Sequence, residues 1–330
     1  MPAYQPPFTI TPAIIRLISD ISEKLGYLSG LSQKQIDLRL RRINHIRTIQ
    51  GSLAIEGNTL SEEQITAILD GKRVIAPPKE VQEARNAIKA YEQLGSWEAS
   101  DERDLLAAHR CLMTGLIDEA GSYRSGNVGV MKGDAVVHMA PPADRVKRLM
   151  ADLLAWLGET DQHPLIVSSV FHYEFEFIHP FSDGNGRMGR LWQTLILSRW
   201  NPLLSQLPVE SVVYSQQEAY YQAINQSTLN TDSAPFIEFM LSNILEVIDE
   251  HLKLTPQVDP QVTPQVGQLM EIFSEDGLAF NREELQLALG LKDRKSFRER
   301  YLKPALEAGL IEMTIPDKPN SKLQKYRAVR

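Results

Sequence analysis

The residues with the most chemical content stand together in one stretch of twelve, HPFSDGNGRMGR, from His179 to Arg190. His179 directly precedes a proline, where helical backbone is disfavoured, so a helix is expected to end near Ile178. That leaves the imidazole at a helix-to-loop junction, where it can point into a cleft. Asp183-Gly184-Asn185-Gly186 follows. Two glycines and an asparagine tolerate positive φ, which lets successive amides turn inward as an anion nest. A second helix is expected to begin about Gly186 and run through LWQTLILSRW, its amino end favouring phosphate. Arg187 and Arg190 then share a face of its first turn, where forked guanidiniums match phosphate oxygens. Asp183 suits Mg²⁺, which takes one or two carboxylates beside substrate phosphates. A histidine beside such a cradle suits proton removal from a hydroxyl nucleophile near neutral pH. Each part alone is an ordinary turn, cap or solvated pair; their coincidence points to phosphate chemistry.

The elements that must position these residues read as mainly helical. Apolar spacing predicts helices over Ala13–Leu25, Ser32–Ala54, Asp101–Leu116, Ala143–Trp156 and Pro164–Ile178. The clearest strand signal is Asn127–Met139, where two Val-rich arms flank Lys-Gly-Asp and predict a β-hairpin. Pro77-Pro78 is expected to end a helical region and Pro141-Pro142 to interrupt another. TPQVDPQVTPQV, from Thr255 to Val266, reads as an extended linker. Beyond it, Val266–Phe273, Asn281–Leu289 and Asp293–Ala308 read as helices, followed by two strand-like arms around a Pro-rich turn. That pattern predicts a winged helix-turn-helix. The expected domains are a helical region at 1–100, a core at 101–252, the linker at 253–265 and the winged helix at 266–330.

Composition bounds the classes. The chain has 330 residues, 43% apolar and 23% charged, ordinary for a globular protein. The single Cys111 excludes an internal disulfide and a multi-Cys metal site. No apolar run approaches bilayer length, and the amino end has no signal-like core, so a cytoplasmic protein without membrane association is expected. The net charge of −7 disfavours whole-surface binding to nucleic acid. It is uneven: residues 291–330 hold eleven basic against five acidic residues, a net of +6.

The segment from His179 to Arg190 resembles the signature of Fic-domain proteins, HxFx(D/E)GNGRxxR, at every defining position, and FHYEFEFIHPF resembles the family's lead-in. The resemblance covers roughly Asp101 to Leu252. It implies a helical fold and transfer of AMP from ATP to a protein hydroxyl of Tyr, Thr or Ser, with pyrophosphate leaving. By this resemblance His179 is the general base and Asp183 the Mg²⁺ ligand. Gly184, Asn185 and Gly186 form the anion hole within an ATP-binding stretch that continues through Arg187, Met188, Gly189 and Arg190. Phe181 packs in the core. The hairpin corresponds to the family's flap, which aligns a target segment by strand pairing, through Val137, His138 and Met139. Of the Tyr220-Tyr221 pair, Tyr220 is favoured at the adenine pocket.

Ser52-Leu53-Ala54-Ile55-Glu56-Gly57 resembles the family's inhibitory motif, (S/T)xxxE(G/N), in the class that carries it before the core. A glutamate beside Arg190 would take that arginine from the γ-phosphate and repel the triphosphate. Gly57-Asn58 is expected to stop the helix. The resemblance also admits a homodimer, transfer of a different nucleotide group, and removal of AMP. A Doc-like kinase is disfavoured by the intact Gly184 and both arginines. From the sequence two further readings stay open. The basic helix with Lys292, Arg294, Lys295, Arg298 and Arg300 either meets DNA phosphates or docks protein. The whole chain could then be a DNA-binding regulator that senses nucleotide.

Overall fold

Prolines and short polar side chains decide where most helices begin in the structure, a computed structural model that describes residues 4–30, 38–132, 135–254, 264–273, 279–291, 293–307, 309–315, 321 and 323–329. The chain divides into two units, Met1–Thr255 and Pro256–Arg330, each with its own apolar core. The first unit opens with α1 (Pro12–Gly30) and α2 (Leu38–Ile55), and α2 ends before Gly57, whose φ of 88° only glycine adopts freely. Next come α3 (Glu62–Leu69), started by a Ser61/Gln64 capping box, and α4 (Pro78–Glu92), with Pro78 in the first turn. Asp101 caps α5 (Glu102–Met113). Strands β1 (Gly129–Lys132) and β2 (Ala135–Met139) follow, and then α6 (Ala143–Glu159), α7 (Pro164–Ile178) and α8 (Asn185–Trp200). The unit closes with α9 (Val209–Ser215), α10 (Gln217–Asn230) and α11 (Ala234–Leu254). Pro78 and Pro142 therefore start helices rather than stop them, because a ring with φ near −65° and no amide fits the first helical turn.

The expected hairpin is present as an antiparallel pair, Gly129 facing Met139 and Lys132 facing Ala135, with a register shift between Val130 and Met131. Its turn, residues 133–134, lies outside the described residues, as do the expected Ser32 cap and most of the linker. One core runs from Ile14 on α1 to Ile248 on α11, so residues 1–100 and 101–252 pack as one body. Helix α7 lies at its centre and buries most of its side chains. A near-continuous apolar sequence such as PLIVSSVF reads this way when a helix is wrapped on all sides. Helix α2 lies equally close to α9: a Cβ on Gly51 would stand 2.6 Å from the Ser211 amide nitrogen and 2.7 Å from the Glu210 carbonyl.

The second unit contains α12 (Pro264–Ile272) and α13 (Arg282–Ala288), the latter started by an Asn281/Glu284 capping box. Helix α14 (Arg294–Phe297) continues through a π-turn (Arg298–Leu302) into α15 (Lys303–Glu307). Strands β3 (Ile311–Met313) and β4 (Tyr326–Ala328) pair antiparallel, and Phe280 bridges to Tyr326. Leu269, Leu285, Phe297, Ile311 and Tyr326 form its core. Lys292 and the Pro-rich turn at 316–320 lie outside the described residues. No described helix is long and apolar enough to cross a membrane.

The Gly51 contact gives a stability prediction. Overpacking a tight contact costs about 1–3 kcal/mol. Gly51→Ala should therefore lower the first unit's Tm by several degrees, about 2–4 °C per kcal/mol, in a thermal melt.

Candidate active site

The loop between α7 and α8 is closed by side chains that answer nearly all of its backbone groups. His179 ends α7 in the left-handed region, φ 50° and ψ 60°, with its amide donating to the Phe175 carbonyl at 2.9 Å. A non-glycine residue there costs free energy and survives only where the surroundings hold it. Arg124 does the holding: its guanidinium donates to the carbonyls of His179 (2.7 Å), Pro141 (2.5 Å), Gly126 (2.8 Å) and Ile178 (3.3 Å). The same arginine so ties the helix end to the base of the hairpin. Phe181 is fully buried, and Asn185 spans its backbone, taking its amide at 2.9 Å and donating to its carbonyl at 2.9 Å. His109 stacks on Phe181, ring centroids 3.6 Å apart. Its Nδ1 accepts from the Gly121 amide, so the neutral ring carries its proton on Nε2 and donates to the Asp183 carbonyl at 3.0 Å.

Gly184, at φ 84°, turns the chain into α8, as a residue free to adopt positive φ must. The amides of Asn185, Gly186 and Arg187 then form the open first turn of the helix. Over that turn stands a carboxylate of the protein itself. A Cβ on Gly186 would run into Glu56 Oε1, and Arg190 Nη2 donates to that oxygen at 2.7 Å. Arg190 is buried; it also donates to the Ser52 carbonyl (2.9 Å) and hydroxyl (3.2 Å). Ser52 and Glu56, both at the end of α2, therefore grip one guanidinium. Arg187 turns the other way, to Asp183 Oδ1 (3.2 Å) and Glu83 Oε1 (3.3 Å). Glu83 also accepts from Asn58 at 2.9 Å. Asp183 is half-exposed, and among the described residues only its Oδ1 is engaged, by Arg187 and the Gly184 amide.

The expected ATP-binding residues divide. Gly184, Asn185, Gly186, Arg187 and Arg190 converge on the first turn of α8. Met188 faces the apolar core with no exposure, and its amide donates to Gly184 within the helix. Gly189 lies against α7: a Cβ there would meet His172 at 2.7 Å and Glu176 Oε1 at 3.1 Å. Tyr220 is buried, its hydroxyl 3.1 Å from His172 Nε2, while Tyr221 is the partly exposed member of the pair. Met139 is exposed on the hairpin; the side chains of Val137 and His138 lie outside the description. Gly57 follows Glu56 in the helix stop. Arg124, His109, Glu83 and Glu176 carry the site without having been singled out in the sequence. Arg124, between the glycines at 121 and 126, had a weak signal there. His109, buried on the apolar face of α5, reads like any core histidine.

Burial holds both core imidazoles neutral. That of His109 is pushed down to about 4, against the pull of the Asp183 carbonyl, and that of His172 to about 3, against Gln193. A lowered histidine contributes stability above its unfolded pKa that is lost as pH falls towards the folded value. The first unit should therefore lose stability from pH 6.5 down to about 4. His109→Gln should flatten that slope in thermal melts taken across the range.

Comparison with known proteins agrees with this geometry. Residues 99–197 match the Fic/DOC family, and residues 264–328 match the C-terminal domain of Filamentation induced by cAMP protein Fic-like. Protein adenylyltransferase Fic of Nematostella vectensis is 28% identical over 252 residues, covering 72% of this chain and 56% of that protein. Protein adenylyltransferase fic-1 of Caenorhabditis briggsae is 30% identical over 243 residues, covering 69% and 44%. The chain thus spans about half the length of the curated relatives it matches. The crystal structure of a Fic family protein from Desulfovibrio desulfuricans G20 is 54% identical and superposes with a TM-score of 0.74, covering 99% of this chain and 98% of the other. A helix start with open amides, a histidine at the preceding helix end and this match over 99% of the chain lead to one conclusion: the chain belongs to the Fic family.

Proposed function

We propose that this protein is an adenylyltransferase that moves AMP from ATP to a hydroxyl side chain of a protein, and that Glu56 holds it in check. The observation that carries the reading is the Glu56 carboxylate seated over the first turn of α8 and bonded to Arg190 at 2.7 Å. It marks an anion site filled by the chain's own anion. The relatives named protein adenylyltransferase support the transfer chemistry.

In this reading the β- and γ-phosphates lie on the open amides of Asn185 and Gly186 after the Gly184 turn, with Arg187 and Arg190 neutralising their charge. Glu56 competes for Arg190 and repels the γ-phosphate. His179, held by Arg124 through its own carbonyl, takes the proton of the target hydroxyl as its oxygen attacks the α-phosphorus. The P–O bond to pyrophosphate breaks, and the open helix turn stabilises the departing charge. Among the described residues no three His, Cys, Asp or Glu side chains form a metal cluster. A single half-exposed carboxylate, Asp183, nevertheless fits Mg²⁺, which binds chiefly through substrate phosphates. Bound there, Mg²⁺ would supply charge neutralisation on the phosphates. The backbone of the hairpin offers the target a strand partner, with Met139 exposed beside it.

The three helical segments and the two-stranded ribbon of the second unit support a winged-helix reading. It reads better as a protein-docking module than as a DNA reader. Residues 256–330 carry twelve basic and eleven acidic residues, net +1. Arg294, Arg298 and Lys303 face Glu283, Glu299 and Glu307. These pairs offset part of the positive charge that would attract phosphates.

The test uses Mg²⁺ with α- or γ-labelled ATP in a lysate of the source cell. A hydrogen bond to a charged group is worth about 1.5–3 kcal/mol, so Glu56→Gly should raise transfer of α-label about 10- to 100-fold. His179→Ala in that background should lower it about 100- to 10,000-fold. Label from γ-ATP, or no response to Glu56→Gly, would overturn the proposal.

A further inference from the structure

We propose that Glu176 is the positioning residue of His179: its carboxylate, set between α7 and α8, accepts a hydrogen bond from His179 Nδ1 and so presents Nε2 to the target hydroxyl. The inference rests on the reading of His179 as the base. Helix geometry places the pair together, since His172, Glu176 and His179 follow at i, i+4 and i+7 on one face of α7. Glu176 Oε2 stands 4.0 Å from His179 Nδ1, and Oε1 stands 3.9 Å from His172 Nε2. These are approach distances that must close by about 1 Å to become hydrogen bonds.

Three further observations assign the carboxylate to His179 rather than to packing. First, α8 makes room for it. Gly189 presents bare backbone where a Cβ would lie 2.7 Å from His172 and 3.1 Å from Glu176 Oε1, so the glycine clears both side chains on this face of α7. Second, Glu176 Oε1, the oxygen on the His172 side, is buried with no hydrogen-bond partner among the described residues, so no bond there ties the carboxylate away from His179. Third, His172 has no proton to give it. With Gln193 presenting its oxygen at 2.5 Å, His172 carries its proton on Nδ1, and its Nε2 accepts from Tyr220.

The charges around Glu176 connect it to the brake. It is faced by Arg190 from α8, Glu56 from α2, Tyr220 and Tyr221 from α10, and His172 and His179 on its own helix. Burial pushes its pKa up to about 7, the Glu56 charge adds to this, and Arg190 opposes it. With Glu56 in place the carboxyl is partly protonated at neutral pH and a poor acceptor. Once Glu56 leaves the nucleotide-free site, its charge no longer adds to that shift and Arg190 favours the carboxylate. A carboxylate at Nδ1 fixes the tautomer and stabilises the imidazolium that forms when Nε2 takes the hydroxyl proton. Departure of Glu56 thereby clears the phosphate site and sharpens the base in one movement.

The test compares Glu176→Gln with the parent in the Glu56→Gly background, with thermal melts to verify folding. Two quantities are read: kcat and KM for ATP in AMP transfer, and the His179 pKa from histidine NMR titration of nucleotide-free protein. Loss of an orienting partner typically costs about 10- to 100-fold in activity. Glu176→Gln should lower kcat by that factor with KM for ATP within about twofold, and lower the His179 pKa by about one unit. An unchanged His179 pKa overturns the proposal whatever kcat does, since a packing role alone could slow the reaction. An unchanged kcat overturns it as well. If the Glu56→Gly protein transfers no AMP at all, the adenylyltransferase reading fails instead, and the NMR titration still decides whether Glu176 orients His179.

Discussion

The guanidinium of Arg190 is the group around which the first unit is organised. It is charged and buried, and a buried charge is tolerated only when it is paired and hydrogen-bonded. Its partners come from a helix more than a hundred residues earlier in the chain, the Ser52 carbonyl and hydroxyl and the Glu56 carboxylate. α2 must therefore end where it does, and Gly57 must turn the chain away at once. From the other side, α8 must start at Asn185 to bring Arg190 to that point, one turn in, while its open amides face the Glu56 carboxylate. The anion site and its occupant are two halves of one electrostatic constraint.

A second constraint is the carbonyl cage around Arg124. His179 can sit in the left-handed region only because its carbonyl, and that of Ile178, are taken by a guanidinium that also takes Pro141. Loop, helix end and hairpin base so share one donor. His109 and Asn185 finish the loop from below, on Phe181 and Asp183. With its backbone groups answered in this way, the segment from His179 to Asn185 needs no regular structure to be well defined.

Much of this was legible in the sequence where chemistry and chain direction coincide locally. The end of α7 before Pro180, the glycine turn and the Arg187/Arg190 spacing follow from rules that act over a few residues. Glu56 was legible through a motif resembling one in known relatives, since nothing in its own surroundings distinguishes it from an exposed helix-terminal glutamate. What stayed hidden is long-range. Arg124, His109 and Glu83 act through partners 55, 74 and 104 positions away, and no local pattern announces such pairs. Gly189 and Met188 show the converse. Their place inside a motif suggested phosphate contact, but α8 turns one against α7 and the other into the core. The charge of the second unit depends on its bounds: the +6 of residues 291–330 is offset by acidic residues of 256–290 in the same unit.

The packing of α2 decides how Glu56 can separate from Arg190. Two routes exist in principle, withdrawal of the helix or rotation of its last side chain. Withdrawal would expose Ile46, Ile49 and Leu53, and burial of each such side chain is worth about 1.5–3 kcal/mol. It would also undo the Gly51 contact with α9, the Asn58–Glu83 hydrogen bond and the bond from Gln217 to the Ile55 carbonyl. Rotation of Glu56 breaks one charge-assisted hydrogen bond, about 1.5–3 kcal/mol, and its side chain is already 35% exposed. The second route costs several-fold less and leaves Ser52 on Arg190. The guanidinium then keeps part of its support while its outer edge becomes available to another anion. In the proposed brake, a helix clamped this firmly serves as a fixed mount, and rotation of a single side chain is the less costly release.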